Sequence, residues 1–118
     1  MSKLSQSTSV RTIYQHFRFR CGRASGVPIP WKKGLSCLQA LIDVVNHPNG
    51  VQNFCVQHSE MGAFITELDD ESNVAGEWFW MYRINGDYPN VGCDRLILRP
   101  FDIINWEQVR YDTALDKH

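Results

Sequence analysis

Ser36-Cys37-Leu38-Gln39-Ala40-Leu41-Ile42-Asp43-Val44-Val45-Asn46 is the stretch on which the fold class turns, because it carries the clearest helical period in the chain. Leu38, Leu41, Ile42 and Val45 fall at i, i+3, i+4 and i+7, which predicts one apolar stripe facing a core. Ser36 with Gln39 three residues later forms a capping-box pattern, and Pro48 and Gly50 stop the helix soon after Asn46.

Working outward, the segments on either side read as extended chain. Val10 to Arg20 ends in strict alternation, with Phe17 and Phe19 on one face and Tyr14, His16, Arg18 and Arg20 on the other, which predicts a first strand. Cys21 to Gly34 holds Gly22, Gly26, Pro28, Pro30 and Gly34 and reads as a connector. Beyond the helix, Phe54 to His58 and Ala63 to Leu68 predict two short strands around Met61-Gly62. The acidic run Asp69-Asp70-Glu71-Ser72-Asn73 then reads as a solvated turn. Glu77 to Ile84 is a strongly aromatic strand, and Asn85-Gly86 supplies the positive φ angles of a tight turn. Arg95 to Leu98 and Ile103 to Val109 are the last two extended segments. The order predicts an α+β fold in which one main helix covers one face of one mixed sheet.

Length and composition bound the rest. With 118 residues, 43% hydrophobic and 12% aromatic, the chain suits one core and one domain, placed at residues 10–112 between a flexible 1–9 and a flexible tail 113–118. A formal net charge of -1 with scattered basic residues argues against a nucleic-acid partner. Met1 to Ser9 is polar, lacks the apolar core of a secretory signal, and no run of apolar residues is long enough for a membrane span. The expectation is a cytoplasmic, non-membrane protein.

Chemistry-bearing groups are sparse. Cys21, Cys37, Cys55 and Cys93 form no CxxC pair; two disulfides are compatible with the count, and four reduced thiols suit the cytoplasmic reading better. His16, His47, His58 and His118 lie far apart, with no chelating spacing on one element, so no metal site is expected. There is no nucleophile elbow or catalytic Cys motif, and the adjacent carboxylates Asp69, Asp70 and Glu71 lack the burial that raises a pKa into a useful range. No catalytic residue and no cofactor are assigned.

The run Gly62-Ala63-Phe64-Ile65-Thr66-Glu67-Leu68, then Glu77-Trp78-Phe79-Trp80-Met81-Tyr82-Arg83-Ile84-Asn85-Gly86, then Val91-Gly92 and Arg99-Pro100-Phe101-Asp102-Ile103-Ile104-Asn105-Trp106, resembles the transcobalamin C-terminal-like domain family. The resemblance spans roughly Val10 to Val109. It implies a β-grasp fold, related to SLBB-like domains, and, in vitamin-carrying members, a small module that helps enclose cobalamin against a larger helical domain. This sequence departs from the pattern in having Phe101 where the family has glycine, and it contains no such helical domain.

Two functional expectations follow. In the first, Trp78, Trp80 and Tyr82 form an exposed aromatic sheet face which, with Asn85 and Tyr88 in the adjoining loop and Arg18 and Arg20 as anion contacts, binds a small aromatic or corrin-like ligand or a protein. In the second, the same face is buried in a homodimer and no small ligand exists. Ordinary core packing of the aromatics, and simple solvation of the polar face of the first strand, are the competing explanations of the same residues.

Overall fold

The computed structural model describes residues 11–110, so the expected flexible N-terminus and the tail from Thr113 lie outside the described residues. In chain order the elements are β1 (Thr12–Arg18), β2 (Ala24–Pro30), α1 (Cys37–Asp43), β3 (Phe54–Ser59), β4 (Gly62–Leu68), β5 (Glu71–Ser72), β6 (Trp78–Ile84) and β7 (Ile103–Arg110). They make an α+β fold with two sheets rather than one: a four-stranded sheet in the order β2-β1-β7-β6 and a three-stranded sheet β3-β4-β5. The larger sheet is mixed, because β1 and β7 run parallel while β1–β2 and β6–β7 are antiparallel.

The segment Cys21 to Gly34 corrects the connector expectation, since β2 occupies its centre. Val27 and Ile29 are buried there and alternate with exposed Pro28 and Pro30. Proline is tolerated because β2 is an edge strand whose outward positions need no N–H. Arg95 to Leu98 is a second correction. Instead of a strand it forms a turn closed by the Arg95 amide on Gly92 O, then a single bridge from Ile97 to Ser36. Its backbone serves the start of the helix: Cys37 N–H donates to Leu96 O and Leu98 N–H to Leu35 O.

Helix α1 begins where expected. Ser36 is its N-cap, and its hydroxyl accepts the Gln39 amide at 3.0 Å. The capping box is half formed, because the Gln39 side chain donates forward to Asp43 Oδ1 at 2.9 Å. The buried stripe is rotated from the expected one. Cys37, Ala40, Leu41 and Val44 are fully buried, whereas Ile42 is exposed and Leu38 and Val45 are half-buried. Both sets obey the same spacing, and the buried set includes the small side chains of Cys37 and Ala40.

A buried amide ties that helix down. Gln15, inaccessible to solvent on β1, donates to Ala40 O at 2.7 Å and accepts from the Trp106 indole N–H at 2.9 Å. Helix, β1 and β7 are thus joined by one side chain whose polar atoms are bonded within the core. Around it pack Ile13, Phe17, Val27, Leu41, Ile104 and Trp106.

The acidic run is a joint between the two sheets, which corrects its reading as a solvated turn. Glu71 and Ser72 pair with β4, and the Glu71 carboxylate accepts the Arg20 and Cys21 amides from the β1–β2 hairpin. Asp69, at φ 52°, accepts the Gln52 amide at 2.7 Å and the Arg23 guanidinium at 2.6 Å. Burial alone would raise its carboxyl pKa, but these donors and the Arg23 charge outweigh burial and hold it below the ordinary carboxylate value.

Candidate functional site

Alternation along the larger sheet separates two faces. The inner face carries Trp80, Tyr82, Trp106 and Gln15. Trp80 is 6% and Tyr82 7% exposed, so the expected open aromatic platform is core instead. Their polar tips are also engaged: Trp80 Nε1 donates to Glu71 O at 2.7 Å, and Tyr82 Oη to Val91 O at 2.6 Å. Rings pack at the same place, Phe19 edge-on to Trp80 and Tyr82 tilted against Trp106, each pair with centroids 5.5 Å apart. The face expected to serve a homodimer is therefore already covered within the chain, as far as Trp80 and Tyr82 are concerned. Trp78 lies at the margin, half-buried, with the Arg20 and Arg110 guanidinium groups each 5.5 Å from its ring. That stacking also separates Arg20 from Arg18.

Asn85 is a latch. It and Gly86 have φ of 51° and 94°, the left-handed pair of a two-residue turn, and Ile84 and Asp87 exchange amide hydrogen bonds across it. The Asn85 side chain donates to Asp102 Oδ1 at 2.9 Å and accepts the Ile103 amide at 2.9 Å. Its amide group is thereby spent on holding the turn against the start of β7. Val91-Gly92 is a close approach: any Cβ on Gly92 would run into the Ala63 backbone, and the Gly92 amide donates to Met61 O.

The outer face of the same sheet is different in kind. His16 and Arg18 on β1, Ile103, Asn105 and Glu107 on β7 and Arg83 on β6 line an open groove of about 470 Å³. A second hollow of about 300 Å³ continues it past Tyr88 toward Arg110. Gly26 on β2 makes room for the His16 ring, since a Cβ there would stand 3.1 Å from Nδ1. Arg83 pairs with Glu107 at 2.9 Å, and its guanidinium also lies 5.6 Å from the Tyr88 ring. Tyr88, 40% exposed, donates weakly to Glu107 at 3.4 Å; burial, then the Glu107 charge, raises its hydroxyl pKa. Arg18 is exposed and, among the described residues, makes no ion pair. At the other end of this face Tyr14, Ile103 and Phe101 are exposed hydrophobics; Ile103 stands beside Tyr14 in register.

Of the expected site residues, Arg18 and Tyr88 therefore meet on one open surface with Arg83 and Glu107. Trp80, Tyr82 and Asn85 are consumed by the fold, and Trp78 and Arg20 stack on each other at the margin. His16, Asn105, Arg83 and Glu107 were not singled out together from sequence as parts of a site; the signal available was the alternation of polar side chains opposite the core residues of three strands. Four free thiols complete the inventory. Cys21 and Cys55 are exposed, while Cys37 and Cys93 are buried. Burial, then neighbouring Asp94, pushes the Cys93 pKa up to about 12, and burial likewise raises Cys37. Among the described residues no group of three or more His, Cys, Asp or Glu side chains is set to hold a metal ion.

Residues 35–110 match the family model described as "Domain of unknown function (DUF4430)". The chain belongs to that family. No curated protein matches it. Among solved structures it is similar to haptocorrin in complex with Cbi, with a TM-score of 0.75 and 12% identity over 87% of this chain. The match takes in 26% of the haptocorrin chain, so this protein corresponds to about a quarter of that molecule's length. It is also similar, with a TM-score of 0.60 and 16% identity over 85% of this chain and 97% of the other, to a "putative metal binding protein" from Ruminococcus gnavus ATCC 29149. These likenesses establish a shared fold. Among the described residues no helix is long and apolar enough to cross a membrane.

Proposed function

We propose that this chain is a non-catalytic binding module of the β-grasp type, cytoplasmic and folded over residues 10–112, that takes a flat, amphipathic small molecule of the corrin-like class on the outer face of its four-stranded sheet. One observation carries the reading: that face combines an open groove, an apolar end at Tyr14 and Ile103, and a polar end where Arg18, unpaired among the described residues, stands beside the Arg83–Glu107 ion pair. A ligand with a broad apolar face and a polar or anionic rim would satisfy both ends, with Arg18 and Tyr88 as its principal polar contacts. The likeness to part of haptocorrin supports the ligand class, because that protein's complex holds Cbi. The matched portion is a minority of the haptocorrin chain, so a second body closing over the ligand is part of the proposal.

Calorimetric titration of the purified protein with cobalamin and a small panel of aromatic and anionic metabolites tests this directly. Saturable heat is expected for a corrin-like member of the panel, weakened about tenfold or more, a loss of about 1.4 kcal/mol, by Arg18→Glu combined with Tyr88→Ala. Absence of heat across the panel would overturn the small-ligand reading.

A further inference from the structure

The outward edge of a sheet offers unpaired backbone donors and acceptors to other chains unless something blocks it. On β2 the odd-numbered positions bond to β1, as the Trp31 amide on Arg11 O and the Phe19 amide on Arg23 O show. The even positions face outward, and two of them are Pro28 and Pro30, which have no N–H. On β6 the Trp78 amide is taken by Val74 O, the Trp80 amide by Asn73 Oδ1 at 2.8 Å, and Ile84 by Asp87. β5 has only two residues, and its carbonyls accept from the side chains of Trp80 and Gln108.

The remaining edge, β3, carries none of these devices. Ala63 on β4 sends its N–H to Asp94 and accepts the Cys93 amide, both on the side away from β3. Its partner His58 is therefore in a non-hydrogen-bonded pair and turns its own N–H and C=O outward, and Val56 does the same two residues earlier. The irregularity in this ladder places the extra residue, Thr66, on β4, so β3 stays an unbroken pleat. Phe54-Cys55-Val56-Gln57-His58-Ser59 contains no proline, lysine, arginine or carboxylate, and among the described residues no hydrogen bond reaches its outer edge.

We propose that β3 is a strand-pairing surface and that its occupant is β3 of a second copy of this chain, running antiparallel about a two-fold axis at Gln57. In that register Val56 faces the partner's His58 and His58 faces the partner's Val56, so both outward pairs exchange their N–H···O bonds. The absence of formal charge along the strand favours self-pairing, since no like charges are brought opposite one another. A single strand pair is smaller than a standard interface, so the association is weak, in the range of about 10 µM to about 1 mM.

Sedimentation equilibrium across that range is the test. The wild-type protein rises from monomer toward dimer mass, and Val56→Pro, which deletes an N–H that β4 does not use, stays monomeric with an unchanged circular dichroism spectrum. An independent measurement uses Gln57→Cys in a Cys21→Ser, Cys55→Ser background: on oxidation the introduced thiols, opposed across the axis, link two chains. A wild-type protein that stays monomeric throughout would overturn the proposal, as would a dimer untouched by Val56→Pro. A dimeric preparation that fails to cross-link through position 57 overturns it too, even if the proline variant does not fold.

Discussion

The two faces of the four-stranded sheet are built from similar materials and put them to opposite uses. Inside, Trp80, Tyr82, Trp106 and Gln15 are buried, and each hands its polar tip to a neighbour at 2.6 to 2.9 Å. Outside, Tyr14, Arg18 and Tyr88 stay accessible. Under the proposed function, the binding surface is marked not by aromatic content but by polar and apolar groups left without a full set of internal partners.

The largest effect expected from breaking this contrast is on the inner face. Trp106→Ala removes a fully buried ring and the donor that serves Gln15, and denaturant unfolding should show a loss of about 3–5 kcal/mol. Gln15→Leu keeps the volume but strands the Trp106 N–H and Ala40 O, with an expected loss of about 1–3 kcal/mol in the same measurement. The inner thiols sharpen the comparison through pH. Because folding raises the Cys93 pKa to about 12, its contribution to stability is complete below the ordinary thiol value of about 8.5 and is lost as pH rises toward the folded value. Unfolding midpoints should fall progressively above that lower value, and Cys93→Ala should flatten the alkaline slope. At the outer face the effects are small. Phe101→Gly relieves a left-handed backbone (φ 70°) at an exposed side chain and should stabilise by about 1 kcal/mol in chemical unfolding, while Arg18→Glu should leave stability within about 0.5 kcal/mol.

Much of the fold was legible because local signals agreed with the tertiary structure: the Ser36 cap, alternation in β1, the aromatic strand β6, and the left-handed Asn85-Gly86 turn. β2 was hidden because its prolines look like loop residues until the strand is known to lie at an edge. The helix stripe was ambiguous because two overlapping sets of positions satisfy one period, and packing against the sheet selected the set containing Cys37 and Ala40. Less of the site was legible. A strand apolar on both faces does not reveal which face is covered, so Trp80 and Tyr82 were placed outside when the second sheet and loop cover them. Phe101, which departs from the glycine of the pattern the sequence resembles, occupies a left-handed position in the structure, the conformation that glycine adopts most readily.

Nuclear magnetic resonance mapping of a cobalamin titration tests the central claim most directly, because both faces carry distinct reporters. The account predicts that backbone amides of His16, Arg18, Tyr88, Asn105 and Glu107 shift saturably, while the indole N–H signals of buried Trp80 and Trp106 stay nearly fixed. Shifts centred on those indoles, or saturable binding that leaves the outer face undisturbed, would contradict it.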